Sequence, residues 1–164
     1  MPFATYSDYI ALYDAIPETD FNRLCYDASR TIEAQTTGVD GINKLKYFFP
    51  DDADDAEAVE RCCCALVNAL YNIGQVTKAA GVVQREDGTF SGAGVSSISS
   101  GSESISFSSG NGSVYTKAAA SEADRNVMIG SILTQYLSGV KDKNGVNLLY
   151  VGAYPYVRKN NNIV

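Results

Sequence analysis

Two stretches carry residue types that could do chemistry: three consecutive cysteines, Cys62-Cys63-Cys64, and an acidic run, Asp51-Asp52-Ala53-Asp54-Asp55-Ala56-Glu57. Successive helical side chains point about 100° apart, so three adjacent thiols cannot all grip one ion or one partner sulfur. With Cys25 as the fourth cysteine and no Cys-x-x-Cys, buried free thiols in a reducing compartment are the expected state. The acidic run could be a calcium loop, but it lacks the spaced Asp-x-Asp-x-Asp-Gly pattern with a distant Glu. Acids in a first helical turn complement the positive end of the helix dipole, and that reading predicts a helix starting here. The chain has no histidine. Ser-His-Asp triads, Cys-His pairs, histidine metal sites and the usual general base near neutral pH are therefore absent.

Composition sets further bounds. The 164 residues are 45% hydrophobic and 20% charged, which suits one globular domain over 1–164. A net charge of −6 disfavours a general nucleic-acid binder. Charge is uneven: residues 1–60 hold thirteen acids and four bases, whereas 61–164 hold six acids and nine bases. The first residues lack the basic and apolar regions of a signal peptide, and no stretch is apolar enough to span a membrane.

Four segments have helical period and would position everything else. Thr5 and Asp8 form a short capping box before a face of Tyr6, Tyr9, Ile10 and Tyr13. After Pro17, with Thr19 or Asp20 as cap, a second face reads Phe21, Leu24, Cys25, Ala28 and Ile32 and stops near Gly38. A short turn covers Lys44 to Phe49. The third long helix, about Asp52 to Ala80, buries Val59, Cys62, Cys63, Leu66, Leu70 and Ile73 and leaves Cys64 at its margin. The fourth, about Ser113 to Ser138, presents Ile129, Ile132, Leu133, Tyr136, Leu137 and then Val140. The expected fold is mainly α: a small helical bundle over about 5–87 and 113–140.

Two segments depart from that pattern. Residues 88–112 are rich in Gly and Ser, yet Ser104-Ile105-Ser106-Phe107-Ser108 alternates like a strand, with Val95 and Ile98 upstream. A protruding β-hairpin and a flexible loop are both open readings. Val95 and Ile98 have opposite parity, so an ideal hairpin would need a bulge. Residues 141–164 form the second: an extended C-terminal arm bearing Leu148, Leu149, Tyr150, Val151, Tyr154, Tyr156, Val157, Arg158 and Lys159. Such apolar residues must pack on their own bundle or on another molecule.

Taken in order, these pieces resemble the head-tail connector (adaptor) proteins of long-tailed bacteriophages and prophages. The resemblance covers roughly residues 5–152. It lies in the Tyr-rich first helix, Asp20-Phe21-Asn22-Arg23-Leu24 with Ala28-Ser29, the acidic start of the third helix, Gly94-Val95-Ser96-Ser97 leading to Ser104-Ile105-Ser106-Phe107, and Leu148-Leu149-Tyr150-Val151-Gly152. The triple cysteine and the dozen residues after Gly152 depart from it. The resemblance implies no enzyme activity and no cofactor. It implies a homo-oligomeric ring, commonly twelvefold, docked on the portal protein and receiving a stopper or tail-completion protein. DNA would pass through the lumen without sequence-specific binding or any membrane contact. Such a protein assembles in the host bacterial cytoplasm and resides in the virion neck. The hairpin residues Val95, Ile98, Ile105 and Phe107 and the arm would be its contact devices. Other readings are a different neck or tail-completion protein, or a small divalent-cation domain using Asp51 to Glu60.

Overall fold

The computed structural model describes residues 2–79, 83–84, 90–91, 97–100, 103–106 and 114–155. The protein is mainly helical. In chain order it has α1 (Tyr6–Leu12), α2 (Glu18–Thr36), α3 (Lys44–Tyr47), α4 (Ala53–Ala79), β1 (Val83–Gln84), β2 (Phe90–Ser91), β3 (Ser97–Ser100), β4 (Glu103–Ser106), α5 (Val114–Ala120) and α6 (Glu122–Leu137). It divides into two compact units, residues 1–68 with 131–164, and residues 69–130.

In the first unit, α1 opens with the expected capping box: Thr5 Oγ1 accepts the Asp8 N–H and Asp8 Oδ2 accepts the Thr5 N–H at 2.8 Å. Tyr6 and Tyr9 tilt against Phe21 with centroids 5.4 and 5.5 Å away, and Tyr9 stacks on Tyr13. These rings define the buried face, which turns Ile10 outward. α2 starts one residue after Pro17 and uses neither Thr19 nor Asp20 as a cap. The fixed proline φ and two acids in the first turn, Glu18 and Asp20, suffice. Its stripe Phe21, Leu24, Cys25, Ala28 and Ile32 is buried as read.

The acidic run proves to be the start of α4. Asp52 Oδ1 accepts the N–H groups of Asp54 and Asp55 at 3.0 and 3.2 Å, which caps the helix. Downstream, Cys62 to Val67 are all buried, so Cys64 belongs in the core rather than at its margin. A helix buried around most of its circumference has no margin at that point.

Two expectations are corrected, one about a helix and one about the C-terminal segment. The fourth long helix is two, α5 and α6, separated by Ser121. Ser121 Oγ accepts the Asp124 N–H at 3.3 Å, a local bond that starts a new helix. α4 runs to Ala79, against an expected end at about Ala80, and β1 then pairs antiparallel with β2. Gly81 and β-branched Val83 both favour leaving the helix there. The chain is not an extended arm from 141: an isolated bridge joins Lys141 to Asn147, and Val146, Leu148 and Tyr154 are buried within their own unit. Extended apolar residues beside an uncovered core fold onto it at once.

In the second unit, Ile73, Ala118 and Ala119 form the core, with Val76, Tyr115 and Met128 packed against it. The backbones of β3 and β4 pair antiparallel with Ile98 opposite Ile105.

Candidate functional site

The carboxy-terminal residues singled out by sequence are positioned by two turns of similar make. After α2, Thr37 bridges Asn43 around Gly41, whose φ is +77°. After α6, Lys141 bridges Asn147 around Gly145, whose φ is +78°. Each turn holds an Asp, then a left-handed Gly followed by Ile42-Asn43 or Val146-Asn147. Only glycine adopts that backbone without strain, so the turns recur where the sequence does.

The turns meet in one cluster. Ile42, Val146 and Tyr154 pack together, and Phe48 stacks on the Tyr154 ring with centroids 4.6 Å apart. Tyr154 is held at both ends: its N–H donates to Asp40 Oδ2 at 2.6 Å, and its O–H donates to Asp142 Oδ2. Asp142 Oδ1 also accepts the N–H groups of Asn144 and Val146, each at 2.9 Å. Asp40 is held below the usual carboxylate range, first by the Tyr154 N–H and then by the Ile42 N–H.

Lys44 locks the assembly. It is 1% exposed, and its Nζ donates to the carbonyls of Leu148, at 2.9 Å, and Tyr150. Burial lowers its pKa, while the charges of Asp142 and Asp40 oppose that shift. The Val39 N–H donates to Val151 O at 3.1 Å, and a Cβ on Gly38 would sit 2.9 Å from Gly152 O. At the far end, Asp55 of the acidic run accepts the Lys141 N–H at 3.1 Å.

The predicted contact residues therefore separate. Leu148 and Tyr154 are interior anchors and cannot meet a partner, and Leu149 is half-buried. Tyr150 and Val151 are exposed at 49% and 66%, beside Val39 at 73%. Ile98 and Ile105 are register partners in β3–β4. Val95, Phe107, Tyr156, Val157, Arg158 and Lys159 lie outside the described residues. Sequence reasoning missed Lys44, Asp40, Asp142 and Val39. The signal was the repeated Gly-(Ile/Val)-Asn following an acid, visible only when 40–43 and 142–147 are set side by side.

Chemically, the arrangement fixes a short apolar edge on a rigid base. Among the described residues no group of three or more Cys, Asp or Glu converges as metal ligands. An open groove of about 650 Å³ lies beside Phe3, Leu45, Lys46 and Phe49, and Arg30 there is already paired to Glu33 at 2.6 Å. Among the described residues no helix is long and apolar enough to cross a membrane. Comparison with family models, with curated proteins and with solved structures finds no match.

Proposed function

We propose that this protein is a structural virion component: a head-tail adaptor that forms a ring, docks on a portal and receives the next neck protein. The observation that supports it best is the clamp on residues 140–155. Two bonds from Lys44 and two from Tyr154 hold that segment still, while Val39, Tyr150 and Val151 face outward beside it. A preorganised apolar edge binds with less ordering entropy than a free arm, so it suits repeated docking in a symmetric assembly. In this reading the β3–β4 pair projects as the second contact device, seating Ile98 and Ile105 on a neighbour by strand pairing and side-chain pockets. The segment from Tyr156 onward is the third. The net charge of −6 suits a conduit for DNA, since like charge repels phosphate.

Electron microscopy of portal particles mixed with the purified protein tests the proposal. An added ring below the portal is expected, and its loss in a Tyr150→Ser/Val151→Ser variant that stays folded by circular dichroism. Portal particles left bare by the unaltered protein would overturn it. Association instead with tail-side proteins would move the chain to another place in the neck.

A further inference from the structure

Two of the four thiols form a pair that the assembly role leaves unused. Cys25 on α2 and Cys63 on α4 have sulfurs 3.7 Å apart, both buried. Cys63 Sγ sits against one turn of α2, 3.5 Å from Ser29 Oγ and 4.0 Å from Cys25 O. Cys25, Ala28 and Ser29 of α2 are buried small side chains on the same face as the contact. Cys62 and Cys64 leave the α4 axis about 100° to either side. We propose that Cys25 and Cys63 are a modification site, a dithiol that a peroxide oxidises to an intrachain disulfide joining α2 to α4. It is independent of the proposed assembly role.

Three features support the assignment. A disulfide needs sulfurs about 2.05 Å apart, so the pair must close by only about 1.6 Å, within reach of small side-chain rotations. Ionised Cys25 is favoured over its neighbours: the Cys63 S–H donating to it draws its pKa down to about 7. Burial pushes Cys62 and Cys64 up to about 12. Lastly, the residues before α1 lie against the pair: the Phe3 N–H donates to Ser29 Oγ at 3.1 Å, Cys25 Sγ donates to Ala4 O at 3.4 Å, and the Phe3 ring stacks on Phe49. Lifting them is a local opening that needs neither helix to unfold.

The chemistry balances. The Cys25 thiolate attacks one peroxide oxygen, the O–O bond breaks, and the departing hydroxide takes up a proton to give water and a sulfenic acid. Cys63 sulfur then attacks Cys25 sulfur, the S–O bond breaks, and a second water leaves with the Cys63 proton. Two thiols lose two electrons and the peroxide is reduced to two waters.

Hydrogen peroxide applied to the folded full-length chain, then unfolding, alkylation with iodoacetamide and tryptic mapping, tests this. The expected product joins the peptide Leu24-Cys25-Tyr26-Asp27-Ala28-Ser29-Arg30 to the one beginning at Cys62, with fragment ions placing the link on Cys63 and alkylation on Cys62 and Cys64. Its rate should rise roughly tenfold from pH 6 to pH 8 as Cys25 ionises. A link at Cys62 or Cys64, sulfinic acid on Cys25 without a link, or four intact thiols would each overturn the proposal. Cys63→Ser should stop at a dimedone-trappable sulfenic acid on Cys25. If that variant fails to fold, the mapping of the unaltered chain still decides.

Discussion

The turn after α2 and the turn after α6 begin alike and end differently. Both close on a left-handed Gly followed by Ile-Asn or Val-Asn. Asn43 then accepts the Lys46 N–H at 3.0 Å, three residues on, and starts α3. Asn147 accepts the Leu149 N–H at 2.8 Å, two residues on, and the chain stays irregular. The cause is the residue after each Asn. In one turn it is Lys44; in the other it is Leu148, whose carbonyl Lys44 captures. Lys44 ties the carbonyls of Leu148 and Tyr150 to the base of the first turn, and Val151 and Gly152 disfavour helix further. One turn thus makes the tool that shapes the other. Two similar local turns reach different ends because their tertiary partners differ as well as the propensities of the residues that follow.

The most severe way to break this relation is to remove the residue both turns hold. Tyr154→Ala deletes a buried ring stacked on Phe48 and leaves Asp142 short of a donor, so a loss of about 3–5 kcal/mol is expected in chemical denaturation. The accompanying mark is loss of protection at the Val146 and Leu148 amides in hydrogen exchange. Next comes Lys44→Met, which keeps the stem but strands the carbonyls of Leu148 and Tyr150. A loss of about 3 kcal/mol is expected. An unchanged denaturation midpoint would mean that the second turn holds its shape without the first.

The same contrast explains what could be read beforehand. Helical stripes were legible because their period repeats: Phe21 to Ile32 and Val59 to Ile73 were assigned to the interior from spacing alone, and the structure buries them, Leu70 apart. The capping box at Thr5 and Asp8 was equally local. The segment from 141 was not legible, because its shape rests on Asp40, Lys44, Phe48 and Asp55, residues 86 to 114 positions away. Period-based reasoning sees apolar and aromatic residues there and leaves open whether their own bundle or a partner covers them; only the resemblance makes them contact devices. The interior claims Leu148 and Tyr154. Cys64 failed for a related reason, since one stripe cannot reveal a second neighbour across a helix.

A gentler probe asks how alike the turns are. A Cβ at Gly41 or Gly145 meets nothing within 4 Å, so an alanine there tests backbone strain alone. Each of Gly41→Ala and Gly145→Ala should cost about 1 kcal/mol, and nearly the same amount. A clear inequality in denaturation midpoints would show that one turn can relax into another conformation and the other cannot.

The smallest effect separates the two aspartates. Asp40 takes the Tyr154 N–H from an exposed position, whereas Asp142 takes the O–H from a buried one. Because bonding to backbone N–H groups lowers the folded-state pKa of Asp40, the unfolded chain binds its proton first as pH falls. Its stabilisation is therefore complete above the ordinary aspartate range and is lost as pH drops through the lower folded-state value. Asp40→Asn removes that titration while keeping an oxygen that can accept the Tyr154 N–H. Denaturation of both proteins at pH 7, 5 and 3 should show the unaltered chain slightly more stable at pH 7, with the gap narrowing toward pH 3. A gap that widens in acid would mean the Asp40 carboxylate does not help hold Tyr154, and that the hold comes from Asp142 and the Phe48 stack alone.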